Sequence, residues 1–203
     1  MIGVIWNLLS NFMQLFNIGI ILAYLLVRCI KMMYKVVEKF GPDSGAKWTD
    51  YIKWTGLHHL RRFDSVDSML RPTFFSPGST EDWANCVNED YKLDLITNLE
   101  YANKVLSKYD NAEIVGVEID VKEGYIAGDG FLGYDIIDEY CSNSLITNCG
   151  SDSHPFDRSI IKDNGLIHDL KDASRAKEQL IADPAGDSHS AACTVWAIYK
   201  VCT

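Results

Sequence analysis

The sequence predicts an α+β protein in which one N-terminal transmembrane helix precedes a small mixed domain with a largely antiparallel sheet and several helices. Three observations carry this expectation. Met1 to Val27 contains no Asp, Glu, Lys, Arg or His, and nearly all the charge lies beyond it. Past that segment, apolar residues recur first at helical spacing and then, after Asp110-Asn111, at the alternating spacing of strands. The resulting order is helices, three closely spaced strands, more helices and a last strand, which suits an α+β arrangement better than a doubly wound parallel sheet.

Ile2 to Val27 is 26 uncharged residues, and about 20 suffice for a helix to cross a hydrocarbon core of about 30 Å. A secretory signal would carry basic residues ahead of a shorter apolar core and small residues at its exit, but here the exit is Leu25-Leu26-Val27-Arg28. Asn7, Ser10, Asn11, Gln14 and Asn17 recur every three or four residues and form one stripe on such a helix. Amides facing lipid lack partners, so the stripe is expected to pack on another transmembrane helix or on a second copy of this one. A helix lying in the interface carries a charged face, which this segment lacks before Arg28.

Arg28, Lys31, Lys35 and Lys39 follow the apolar run, and no basic residue precedes it. On a helix continuing through Met32, Met33, Tyr34, Val36 and Val37 these four would contact the headgroups of membrane lipid. The positive-inside rule then places the N-terminus outside and the C-terminal domain in the cytoplasm. Gly41-Pro42 is expected to end the helix, giving a membrane unit over residues 1–40 and an acidic domain over 45–203.

Within the domain, helices are expected over Trp48 to Leu60, around Thr80 to Asp90, from the capping-box spacing at Thr97 to Glu100 through to Tyr109, near Phe156 to Asp163, and over Leu170 to Ala182 behind the cap Asp169. Strands are expected over Glu113 to Asp120, Phe131 to Asp138, Cys193 to Val201 and, from a weaker pattern, Ser144 to Cys149.

Charge limits the partners. Of the chain's 19 basic and 28 acidic residues, 4 and 2 lie in the first 44, so those carry about +2 and the remainder about −11, which together give the chain's −9. A domain this acidic repels a phosphate backbone, which argues against nucleic acid and favours a basic protein as partner.

Candidate chemistry is sparse. Gly128-Asp129-Gly130-Phe131-Leu132-Gly133 has G-x-G-x-x-G spacing, but the residues that follow alternate like a strand, and a dinucleotide site needs a helix there. A glycine-rich hairpin or bulge is expected, and no cofactor is implied. Asp129, Asp135, Asp138 and Glu139 lack the register of a calcium loop, and on a strand Asp135 and Asp138 point to opposite faces, so they are expected along a solvated edge. The six cysteines contain no C-x-x-C pair. Cys149 with His154, and His189 with Cys193, come closest to ligand spacing, but neither pair is repeated, so no metal is assigned and reduced, mostly buried thiols are expected. A nucleophile, base and orienting carboxylate can be assembled only from Cys149, His154 and Asp152 or Asp157.

Two functions remain. The first is a membrane-anchored binding or regulatory protein acting through protein–protein contacts, such as an immunity-type neutraliser or a subunit of a membrane complex. The second is a membrane-anchored enzyme, in the form of a cysteine-dependent hydrolase working through Cys149.

Overall fold

The computed structural model describes residues 32–88, 92–147, 155–186 and 188–202. The apolar segment, its amide stripe at Asn7, Ser10, Asn11, Gln14 and Asn17, and the basic residues Arg28 and Lys31 lie outside the described residues. Among the described residues no helix is long and apolar enough to cross a membrane.

Four strands form one antiparallel sheet in the order β1-β2-β4-β3, with β1 at Met33–Glu38, β2 at Ala112–Glu118, β3 at Phe131–Asp138 and β4 at Cys193–Lys200. The helices are α1 (Ala46–Thr55), α2 (Thr80–Asn85), α3 (Leu99–Leu106), α4 (Leu170–Ala182) and the single turn α5 (Ser188–Ala191). This is the mixed, antiparallel α+β domain that the pattern predicts.

The local reasons are legible. Asp169 accepts from the amides of Lys171 and Asp172 and starts α4, whose Ala173, Ala176 and Leu180 form its buried stripe. α3 is capped one residue later than its spacing suggests, by Asn98 rather than Thr97. α1 stops at Gly56, which takes the left-handed conformation at φ 68°. Strand alternation then divides the sheet into two faces. One face, with Val36, Ile114, Tyr134, Ile136, Val195, Ala197 and Tyr199, packs against α3 and α4. The other, with Val37, Val115, Val117, Ile137, Trp196 and Ile198, is covered by Val66, Leu95 and Leu166 from irregular segments.

Five expectations are corrected. Met32 to Val37 does not continue a helix: it supplies β1, paired residue for residue with β2 from Met33↔Val117 to Glu38↔Ala112. Val36 and Val37 are β-branched and buried on both faces of the sheet, and that tertiary pairing overrides the helical spacing of the lysines. Lys35, expected at lipid headgroups, is fully buried; its ammonium lies 2.9 Å from Asp94 and donates to the Val66 carbonyl. Lys39 is exposed just past the far end of β1. Ser144 to Cys149 forms no strand over its described part, only a bridge between Ser144 and Ile137. The helix expected near Phe156 is a 3₁₀ turn at Arg158–Ile160, and the one at Thr80 stops at Asn85.

The glycine run forms the expected bulge, since the β3–β4 register shifts between Phe131 and Gly133. Gly133 has φ 151°, and a Cβ there would fall 2.7 Å from that of Leu166. No larger residue fits without moving the backbone.

The Lys35–Asp94 pair generates a stability test. Asp94→Asn leaves a buried ammonium without its counter-charge and is expected to cost about 3–5 kcal/mol. Lys35→Met combined with Asp94→Leu is expected to recover most of that loss, because neither charge of the pair then remains to be buried. Equilibrium denaturation of the parent, single and double variants measures both effects.

Candidate functional site

Cys149, Asp152 and His154, the residues expected to supply a nucleophile, carboxylate and base, lie outside the described residues. Asp157, the alternative carboxylate, instead caps the 3₁₀ turn by accepting from the Ser159 amide.

The acidic group of β3 is not a solvated edge. Asp129 and Glu139 are exposed, but Asp135 and Asp138 are buried, and they project to opposite faces as strand alternation requires. Each has a different set of partners, and together they define the polar chemistry of this end of the sheet.

Asp135 is held within the fold. Its Oδ1 accepts from the Ser144 hydroxyl at 2.6 Å and its Oδ2 from the Val66 amide at 3.3 Å. Asp67, also buried, accepts from the amides of Ser144, Met69 and Leu70. Thr147 reaches Ser65 from the same turn, and the Tyr51 hydroxyl donates to the Thr147 carbonyl. Burial raises both carboxyls above the usual aspartate range, Asp135 to about 6, against the lowering effect of the hydroxyls and amides around it.

Asp138 faces a different group. The register Asp138↔Cys193 brings the start of β4 beside the end of β3, and α5 immediately before it carries His189 back over Asp138. After β3 the chain turns through Ser142, a non-glycine residue at φ 54°, and this turn returns Cys141 to the same carboxylate. Asp138 Oδ2 accepts from Cys141 Sγ at 2.6 Å and lies 2.7 Å from His189 Nδ1, while Sγ and Nδ1 are 3.8 Å apart. Asp138 is 1% exposed and the His189 side chain 46%. Cys141 also lines a cleft of about 680 Å³ with Ser68, Thr73, Phe75 and Asp94.

The chemistry of this trio is not that of an activated nucleophile. A catalytic thiolate is drawn down in pKa by a nearby cation, and its base uses one ring nitrogen for the thiol and the other for the orienting carboxylate. Here Nδ1 faces both partners, and desolvation together with the adjoining Asp138 carboxylate pushes the thiol up to about 11. Three donor atoms of different type converge within 4.8 Å of one another instead. Sequence spacing missed this group, because Asp138-x-x-Cys141 is too short a signal and the arrival of His189 depends on strand register.

Of the other thiols, Cys86 and Cys193 are buried as expected and Cys202 is exposed, all of them unpaired. No protein-family model matches this chain, and neither does any curated protein or solved structure compared with it.

Asp135 generates a pH prediction. Its folded-state pKa is raised, so the folded chain keeps a proton that the unfolded chain has already lost. Stability therefore falls as pH rises from about 4 to about 6, a cost of about 3 kcal/mol that is complete above that window. Asp135→Asn is expected to flatten this part of the profile, measured as unfolding free energy against pH.

Proposed function

We propose that this chain is a membrane-anchored binding or regulatory protein acting through protein–protein contacts, with its acidic domain in the cytoplasm and a basic protein as its partner. An immunity-type neutraliser and a subunit of a membrane complex are the two forms this takes. The observation that carries the reading is an apolar surface on the domain. Trp54 and Met69 are 52% and 66% exposed, and a shallow groove of about 410 Å³ joins them to Phe40, Tyr51, Leu70 and Pro72. Large aromatic and methionine side chains on a surface mark interfaces, where they supply much of the contact energy. Glu38 and Asp50 stand on the rim with Lys47, and the domain's net charge of about −11 favours attraction of a basic surface.

The uncharged run Ile2 to Val27 supports the anchor. Lys35 takes no part in lipid contact in this reading, because its charge is committed to Asp94. Arg28 and Lys31 remain the basic residues for the headgroups. The amide stripe is assigned to helix pairing within the membrane.

Two measurements test the proposal. The full chain should stay with membranes through an alkaline wash, and a chain lacking residues 2–27 should not. Trp54→Ser with Met69→Ser should lower affinity for the captured partner, measured with purified components, by about 30-fold, the equivalent of about 2 kcal/mol for a truncated hot spot. A partner bound equally by parent and variant would exclude this surface, and a chain recovered alone from its own host would exclude the binding role.

A further inference from the structure

We propose that Asp138, Cys141 and His189 form a binding site for a single zinc-type transition-metal ion, coordinated through Oδ2, Sγ and Nδ1, with its fourth position open to solvent. The proposal is independent of the apolar surface and of the membrane anchor.

The donor set selects the class of ion. Thiolate and imidazole suit zinc and its neighbours, whereas calcium and magnesium take oxygen ligands. The spacing also fits. Donors at about 2.0–2.3 Å from a tetrahedral zinc stand about 3.3–3.6 Å from one another. Sγ and Nδ1 are already 3.8 Å apart, and the two shorter separations, 2.6 and 2.7 Å, are hydrogen bonds that open by less than about 1 Å once a metal replaces the shared proton. The thiol proton leaves to solvent as the metal–sulfur bond forms, and His189 gives up its Nδ1 proton to ligate as the neutral ring protonated on Nε2.

Charge points the same way. Asp138 is buried at the end of β3, and among the described residues it has no Lys or Arg partner; the His189 ring beside it is a cation only when protonated. A buried carboxylate is costly without a cation, and a divalent ion at this point supplies one.

The surroundings hold the donors in place, as the outer partners of metal sites do. The Tyr140 amide donates to Asp138 Oδ1 at 2.8 Å, which leaves Oδ2 directed at Cys141 and His189. Asn143 Nδ2 donates to Cys141 Sγ at 3.1 Å, a contact that favours thiolate. Ser68 Oγ, 2.6 Å from both Asn143 Oδ1 and the Cys141 carbonyl, fixes that amide. Cys141 and His189 are both exposed, so the ion reaches the donors directly from solvent.

The test is metal titration of the full-length protein in detergent, stripped of metal beforehand. Cobalt(II) reports on coordination by its visible spectrum and by the thiolate charge-transfer band, and zinc(II) competition against a chelator gives affinity. One ion per chain is expected. Cys141→Ser should abolish the charge-transfer band, and His189→Ala, at a half-exposed side chain, should weaken zinc binding by more than about 100-fold with circular dichroism unchanged. Asn143→Ala should weaken it by about 10- to 100-fold, and Cys202→Ser should leave it unchanged. A band that survives Cys141→Ser would assign the thiolate to another cysteine and overturn the proposal. So would undiminished zinc binding by folded His189→Ala, or the absence of stoichiometric binding by the parent chain.

Discussion

One residue held between two charges organises this domain. The amide of Val66 donates to Asp135 on β3, and its carbonyl accepts from Lys35 on β1, so the segment carrying it is fastened to the two outer strands of the sheet. That segment has no helix or strand of its own, yet Ser65, Val66 and Asp67 are fully buried. A buried stretch of irregular backbone must find partners for its polar groups from side chains. Lys35, Asp67, Asp135 and Arg71 supply them, Arg71 by donating to the carbonyls of Ser65 and Glu38 and to the Glu113 carboxylate. The buried charges in this acidic protein are therefore the means by which one face of the sheet is covered without a layer of helices.

The same device closes the sheet. A short four-stranded sheet exposes two edges that invite pairing with other chains. Thr73 and Ile96 bridge to β1, and Ser144 and Ile167 bridge to β3, so irregular segments occupy both edges. These bridges come from the segments that the buried charges hold in place: Asp67 accepts from the Ser144 amide, and the Lys35 partner Asp94 lies two residues from Ile96. Edge protection and the polar network are thus one arrangement.

What could be read from the sequence follows from this. β2, β3, β4 and α4 were legible because their signals are local: alternation bounded by turn residues, and a capped amphipathic stripe. β1 was misread because Lys35 and Lys39 are four residues apart, a spacing that suits a basic helix face, and because a lysine in a strand is ordinarily expected at the surface. Only the distant Asp94 and Val66 make an inward Lys35 affordable. Asp135 was misread for the same reason, since its partners Ser144 and Val66 lie far from it or belong to segments without regular structure. Cys141 and His189 are 48 residues apart, and only the β3–β4 register brings them to one carboxylate.

The phase of β3 then connects the fold to the candidate site. Residues 134–138 pair in continuous register with Ala197 to Cys193, which sends Asp135 to the face covered by irregular chain and Asp138 to the opposite one. The bulge at Phe131 and Gly133 lies upstream of that run. Without it, alternation would place Phe131 on the Asp135 face; with it, Phe131 pairs with Tyr199 and packs edge-on against that ring while also meeting Tyr134. The bulge needs a glycine at φ 151° beside Leu166. The glycine run that resembles a nucleotide loop in spacing is therefore the feature that lets an aromatic cluster and a fixed strand phase coexist. That phase is what permits two aspartates three residues apart to serve separately, one as a fastening inside the core and the other as the shared acceptor for Cys141 and His189.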